Sequence, residues 1–502
     1  MKSNRKIISI ILIILGLFFT FLPIIINNLR FNIRDRDITS KYEDVFDHVK
    51  IKLSELSTPI YIDNNDPSFN WSVAKKLGIC SGNGTYSVPY VIEDLVIDGG
   101  GSGICILIEN SDVYFIIENC TIYNTGFNVS STSTGIELYN TTNGMINDNN
   151  CSLSENGIYL RYSDYNNITG NTVSHNYFGV RLYDSDFTNV KGNTVYDNYW
   201  GISANGLFPF TSNNSVSGNI MYNNGFGISI DHSYYTQVSE NIANNNTVCG
   251  IFITRSDYNI ITGNSVNHNK YGIFSLSSDY INIAGNIVNN NFVGIGLDES
   301  NNNTISRNIM NNCGLFISGR NEELHSHYID SSNLVNGKPL YYYSYKVKLN
   351  PSNFSNAGQV ILVNCNNSLI SNLNLSYAGG ISLYYCNKNT ISGNIINNNT
   401  SYGIHLYHSD FNTISDNIIN NNTSYGIYLH FSDFNIVSGN VLIGNDECIV
   451  EHSCNGNGFS RNGSCTYGVS IVPRYNLFLH IIFLIAILSI AAILINKDLK
   501  KF

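Results

Sequence analysis

Gly157 to Phe178 reads GIYLRYSDYNNITGNTVSHNYF, and Gly179 to Trp200 reads GVRLYDSDFTNVKGNTVYDNYW. The text returns from Gly250 to Tyr271 as GIFITRSDYNIITGNSVNHNKY. The Gly that opens the unit recurs at Gly135, Gly157, Gly179, Gly201, Gly227, Gly250, Gly272, Gly294 and Gly314, then at Gly380, Gly403 and Gly426. A fixed period of about 22 residues describes coils stacked along an axis. Each coil is too small to bury its own apolar side and is stable only against its neighbours. Function must therefore sit on the faces of the stack.

Within the unit the pattern is G-I-x-L-x-x-S-D-[YF]-x-x-I-x-G-N-x-V-x-x-N. Ile at the second place and Leu at the fourth alternate with variable residues, which is the period of a strand. Ile158, Val180, Ile251 and Ile273 are expected inside, each stacked on its neighbour where repeats adjoin. A second inward position falls at Ile168, Val190, Ile261, Ile283 and Ile414, and a third at Val173, Val195, Val266, Ile287 and Ile418. Three short strands per turn predict an all-β, right-handed parallel β-helix without helical stretches. Leucine-rich repeats share the period but need an L-x-x-L-x-L core. Here the residues after the Asn are more Asn and β-branched residues, which are poor helix formers. The Asn of each G-N pair recurs at Asn171, Asn193, Asn219, Asn241, Asn264, Asn286, Asn308, Asn394, Asn417 and Asn440. Coils stacked about 4.8 Å apart turn these amides into a ladder, each donating to one neighbour and accepting from the other.

The chain divides into an apolar anchor or signal at 1–26, a polar stem at 27–58, lead-in and coils at 59–324, and an interruption at 325–358. Coils resume at 359–450, followed by a Cys/Gly-rich end at 451–476, a second apolar span at 477–495 and a tail at 496–502. The interruption carries the turn signal NGKP. Each apolar run is long enough to cross a bilayer as a helix. Lys2, Arg5 and Lys6 precede the first, and Lys497, Lys500 and Lys501 follow the second. The positive-inside rule then puts both termini in the cytoplasm and the coils outside. Arg30, Arg34 and Arg36 on the far side of the first run pull against that reading. A cleaved signal peptide is the alternative for the first run, although no A-x-A-like site follows it.

Of 502 residues only 13% are charged, with a formal net charge of −10. No Lys/Arg cluster interrupts the repeats, which speaks against nucleic acid as a partner. The cysteines number eleven. Cys448, Cys454 and Cys465 cluster where a disulfide would close the end of the rod. Cys365 and Cys386 fall in one column on adjacent coils, so they are expected as neighbours and as a candidate disulfide. N-x-[ST] sequons such as Asn70, Asn128, Asn140, Asn167, Asn353 and Asn462 offer glycan acceptors outside the cell.

The coil text, the lead-in VPYVIEDLVIDGGGSGICILIENSDVYFIIENCTIY and the interruption LVNGKPLYYY resemble the NosD-type β-helix family. The resemblance spans about residues 59–450. That family belongs to the broader group of carbohydrate-binding and sugar-hydrolysing β-helix domains. It implies the fold, and it implies that the first strand's outer face carries any substrate groove. The name-giving members are associated with copper delivery, but that role does not transfer on residues. Met1, Met145, Met221 and Met310 are too dispersed for a thioether site. His325 and His327 alternate as on one strand face near Asp330, and read better as a surface pair in a loop.

On the first strand the third and fifth places point outward. They hold Glu137/Tyr139, Tyr159/Arg161 and Arg181/Tyr183, and after the break Ser382/Tyr384, His405/Tyr407 and Tyr428/His430. Tyr139, Tyr159, Arg161, Arg181, Tyr183, Tyr384, His405, Tyr407 and Tyr428 are the glycan-binding candidates. Their rings offer stacking surface and their polar tips hydrogen bonds. Tyr on an exposed strand is also simply a good strand former. The outward carboxylates are Glu137, Asp231 and Asp298. The first two lie four coils apart, about 19 Å, and the last two three coils, about 14 Å. A glycosidase needs about 5 to 9.5 Å, so a loop acid is required to complete a catalytic pair. Asp164/Asp186, Asp257/Asp279 and Asp410/Asp433 stack in the S-D turn. They are either solvated Asx-type turns or Ca²⁺ ligands, and no other cofactor is expected. The leading expectation is a membrane-tethered extracellular β-helix that binds glycan or cell-envelope polysaccharide without turnover. A polysaccharide lyase or hydrolase on the same face, and a surface scaffold, adhesin or NosD-like accessory protein, are the alternatives.

Overall fold

The computed structural model describes residues 56–127, 133–206, 212–463 and 467–470. The apolar runs at 7–26 and 477–495, the stem before Leu56, the sequon at Asn128 and Cys465 lie outside them. No helix among the described residues is long and apolar enough to cross a membrane.

The described chain is a parallel β-solenoid in two sections. In the first, two eleven-stranded sheets run from Ile60–Asp63 to Leu315–Ser318 and from Tyr90–Glu93 to Tyr328–Ile329. A third sheet begins at Leu56–Ser57 and reaches Leu334–Val335. The registers follow the repeat, with Ile158 opposite Val180 and Ile251 opposite Ile273. All four side chains are fully buried. The third inward column is corrected in two coils. Val288 and Ile419 point inward and are fully buried, whereas Ile287 and Ile418 face solvent. Both coils put an Ile immediately after the ladder Asn, and an apolar pair leaves strand parity undecided by composition.

The corners are where a coil would otherwise strand its backbone groups. Asn219 shows how they are met. Its Oδ1 accepts from the Asn193 backbone N–H and side-chain Nδ2, both at 2.9 Å. Its own Nδ2 donates to Val190 O at 2.9 Å and to Asn241 Oδ1 at 3.0 Å. The ladder runs unbroken through Asn264, Asn286 and Asn308 to Asn333, and from Asn394 through Asn417 and Asn440 to Asn462. A second amide column at Asn176, Asn198, Asn224, Asn246, Asn269 and Asn291 does the same at the coil's last corner. The opening Gly is required by the spacing, since a Cβ on Gly157 would sit 2.5 Å from Val173 and 2.7 Å from Gly179 O.

Among the described residues, two short α-helices and a 3-10 turn at Pro351–Phe354 depart from the all-strand expectation. Trp71–Lys76, capped by Asn70, drops Trp71 into the first core. There Trp71 stacks on Tyr90 at 4.8 Å and its Nε1 donates to Ser111 Oγ. Asn321–Ser326 carries His325, so the expected loop pair is not formed. His325 lies in the last turn of this helix, and His327 is buried with its Nδ1 accepting the Asn303 N–H.

The interruption is a change of section. Residues Tyr328–Ile329 and Leu334–Val335 still complete a coil, pairing with Thr304–Ile305 and Ile309–Met310. Asn336 and Gly337, with φ of 51° and 74°, then form the left-handed two-residue turn that an N-G pair favours. The chain returns antiparallel along Lys338–Ser344, the one reversed pairing between strands among the described residues. The next strand, Gln359–Val363, is buried on both faces. Val360 and Leu362 enter the second core, while Ile361 and Val363 close the end of the first. Gln359 stands in for the missing next strand, accepting Leu315 N at 2.9 Å and donating to Leu315 O at 2.7 Å.

Replacing Asn219 with Ala strands a buried backbone N–H and a side-chain amide of the coil before it. Leaving such groups unmet costs about 1 to 3 kcal/mol each. Hydrogen exchange is expected to show loss of protection centred on Asn193 and Asn219, with the coils of the second section unchanged.

Candidate functional site

The outer face of the first sheet brings the expected residues together. Glu137, Tyr159 and Arg181 are successive cross-strand neighbours, and so are Tyr139, Arg161 and Tyr183. Alternation gave their side correctly but not their cover. Glu137 is 4% exposed and Tyr159 7%, while Arg161 and Arg181 are half-buried. Arg181 lies 4.2 Å from the Phe178 ring centre, 4.9 Å from Tyr159 and 5.8 Å from Tyr183. Arg161 lies 5.2 Å from Tyr139 and 5.3 Å from Tyr162. Ring faces expected to meet sugar therefore hold the guanidinium groups in place.

Neither guanidinium has a carboxylate within ion-pair distance among the described residues. Arg181 Nη1 reaches Asn156 Oδ1 at 3.5 Å, and its Nε is buried without a partner. Glu137 Oε2 and Glu155 Oε2 are also buried and unpartnered. Burial pushes the Glu137 carboxyl up to about 7, against the pull of a Thr134 hydrogen bond and of Arg161.

An aromatic column at the place before the opening Gly went unread in the sequence. Phe178 lies 6.3 Å from Trp200, and Trp200 stacks on Phe226 at 4.2 Å. The S-D-[YF] turn makes a further column. Tyr235, Tyr258 and Tyr280 adopt left-handed φ and stack at 5.3 and 4.9 Å. Those rings cover one another's faces and present their edges to solvent.

In the second section the candidates separate. Tyr384 is buried at the junction, its hydroxyl donating to Ile317 O at 2.9 Å. His405 is 7% exposed, its Nε2 unpartnered, and its ring stacks on Tyr428 at 5.3 Å. Burial lowers its pKa to about 3. Tyr407 lines a cavity of about 550 Å³ with Tyr385, Asp298, Glu299, Arg320 and Glu323. A smaller one, about 360 Å³, shares Glu299, Arg320 and Glu323 and adds Asp257 and Asp279. Arg320 fixes Glu323 through N–H···Oε2 at 2.6 Å and Nε–H···Oε1 at 2.7 Å. Burial, with Glu299 and Glu323 adding, raises the Asp298 carboxyl. A turn acid and a helix acid thus join Asp298, one of the three outward carboxylates that strand spacing leaves without a partner.

The Asp column has a backbone use. Asp164 Oδ1 accepts the Asp186 N–H at 2.7 Å, Asp257 that of Asp279 at 2.8 Å, and Asp410 that of Asp433 at 2.7 Å. One oxygen of each carboxylate thereby caps the next coil. Cys365 and Cys386 are neighbours, but as free thiols rather than a disulfide. Cys386 Sγ accepts the Cys365 N–H at 3.1 Å, the place taken by Ser hydroxyls in the following coils. Cys448 is disulfide-bonded.

A family model described as "Periplasmic copper-binding protein (NosD)" matches residues 83–208, 205–328 and 317–476. The chain belongs to the NosD family. No curated protein matches the sequence. Among solved structures, a double mutant of the periplasmic alginate epimerase AlgG is 15% identical, covering 84% of this chain and all of that one, with a TM-score of 0.30. Pectate lyase Pel9A is 13% identical, covering 56% of this chain and 82% of that one, with a TM-score of 0.27. A GH87 α-1,3-glucanase from Streptomyces thermodiastaticus is 11% identical, covering 75% and 63%, with a TM-score of 0.25. Likeness at this level transfers no activity. The copper of the NosD description finds no fitting donor set among the described residues, where no group of three or more His, Cys, Asp or Glu could hold a metal ion. Met221 and Met310 are buried in the core in coils that do not adjoin. His430 and His452 are neighbours at 4.8 Å between ring centres, without a third ligand.

His405 makes this section acid-sensitive. Its folded pKa of about 3 lies below the ordinary 6.5. The stability it contributes is therefore complete above pH about 6.5 and lost as pH falls toward 3. At pH 5 the loss is about 2 kcal/mol. His405→Phe is expected to flatten the difference in melting temperature between pH 7 and pH 5.

Proposed function

We propose that this NosD-family chain displays its β-helix on the outer side of a membrane and binds an acidic glycan across Arg161 and Arg181. The two unpaired guanidinium groups carry the reading. In a chain of net charge −10, two adjacent arginines with no carboxylate at ion-pair distance among the described residues form a local exception. A guanidinium suits a sugar carboxylate by charge and by its forked donors. Tyr139 and Tyr183 border the site, and Tyr159 forms its floor. The terminal apolar runs supply the tether, and the periplasmic description of the family agrees with an outward-facing solenoid.

A second reading, a polysaccharide-cleaving enzyme, is favoured by the junction cavity alone. There Asp298 meets Glu299 and Glu323 beside Tyr385 and Tyr407. Release of reducing ends or unsaturated products from a polysaccharide panel, abolished by Asp298→Asn, is the outcome that supports it.

For the leading reading, a glycan array probed with the purified full-length chain is expected to show acidic oligosaccharides above neutral ones. Arg161→Gln/Arg181→Gln should weaken that binding by about tenfold or more, since hydrogen bonds to charged groups are worth about 1.5 to 3 kcal/mol each. Unchanged binding by a double variant with the wild-type melting temperature overturns the reading.

A further inference from the structure

We propose that Glu137 is the proton-uptake group of this patch, so that docking of a sugar carboxylate, as in a uronate, on Arg161 and Arg181 is coupled to protonation of Glu137. The proposal rests on the acidic-glycan reading and adds the substrate class and its regulation.

The placement comes first. Glu137 opposes Tyr159 in the strand register, and Tyr159 opposes Arg181. Its side chain points away from the core, yet it is 4% exposed and Oε2 meets no donor. Arg181 Nε and Glu155 Oε2 are likewise buried without partners. An isolated buried carboxylate is costly, and the acid form relieves most of that cost. The groups facing Glu137 are the Thr134 hydroxyl, Arg161 and Arg181, which favour its ionised form, and Glu109, which opposes it. Burial outweighs them and holds the carboxyl near neutrality. Tyr159 lies between Glu137 and Arg181, its hydroxyl pushed up by burial, so it stays neutral.

Charge balance then links the proton to the ligand. With Glu109, Glu137 and Glu155 all ionised, three carboxylates outnumber the two guanidinium groups by one charge. Protonation of Glu137 removes that excess and leaves the two guanidinium groups balanced by Glu109 and Glu155 alone, a smaller repulsion for an incoming anion. An anion seated on the arginines adds a like charge near Glu137 and raises its pKa further. Linkage fixes the sign: affinity is greatest below the pKa of the free site, about 7, and falls as pH rises through the pKa of the bound site. A neutral sugar gains nothing from the proton.

The test is calorimetric titration of the full-length chain with a short oligogalacturonate and with its neutral methyl ester, from about pH 6 to about pH 8. Repeating it in buffers of different ionisation enthalpy counts the protons taken up. The proposal expects oligogalacturonate affinity to fall at least about fivefold over that range, with proton uptake on binding. The ester should show neither. Glu137→Gln, which keeps the shape and removes the charge, should bind near the low-pH wild-type affinity throughout and take up no proton. Wild-type binding that is independent of pH and buffer overturns the coupling and leaves the glycan reading intact, without recourse to the variant. The same holds if a folded Glu137→Gln keeps the wild-type pH profile. No binding of either oligosaccharide at any pH overturns both.

Discussion

The hydrogen bond from one coil's corner amide to the next is the constraint on which this structure depends. Strand ladders satisfy the backbone along the faces, but each coil must turn three times, and a turn buried against its neighbours has nowhere to send its N–H groups. Asn solves this because one side chain donates and accepts along the stacking axis. At the S-D turn other side chains supply the acceptor. Ser163, Ser185 and Ser256 hydroxyls, the Cys386 thiol and the Asp164 and Asp257 carboxylates all receive a backbone N–H from an adjoining coil. Residues that look like candidate ligands or redox groups in the sequence thus also serve as coil-to-coil acceptors.

This explains which parts of the molecule were legible before coordinates. The period, the inward columns and the NosD resemblance are local and recur many times, so single irregularities average out. Ile287 and Ile418 were misplaced because each stands beside a second apolar residue, and the ladder Asn rather than hydrophobicity sets the parity. The short helix at Trp71 lies in strand-like text, where Asn70 reads as a sequon and its capping of the helix shows only in the structure. The junction was visible as an N-G turn, yet nothing local says that the following strand will be covered on both sides.

The candidate sites divide in the same way. The Arg161–Arg181 patch lies on one sheet face, so spacing alone assembled it. Depth did not follow from alternation, which says on which side Glu137 and Tyr159 lie but not what covers them. The cavity shared by Asp298, Glu299, Glu323, Tyr385 and Tyr407 draws on two sections of the solenoid. Asp298 and Tyr407 each hold an outward place in their own section's column, but the stack is interrupted between them, so the period does not show that they share a cavity.

A stack of near-identical coils ordinarily frays from whichever end is free, because each unit leans only on its neighbours. The strand Gln359–Val363 removes one of those ends. By giving one face to each core and lending Gln359 to the last backbone of the first section, it makes the boundary between sections a clasp rather than a hinge. Opening the first section from that side means first prying loose the leading strand of the second. Disorder must therefore begin at the outer extremities, leaving the junction cavity in the part of the chain that is last to come apart.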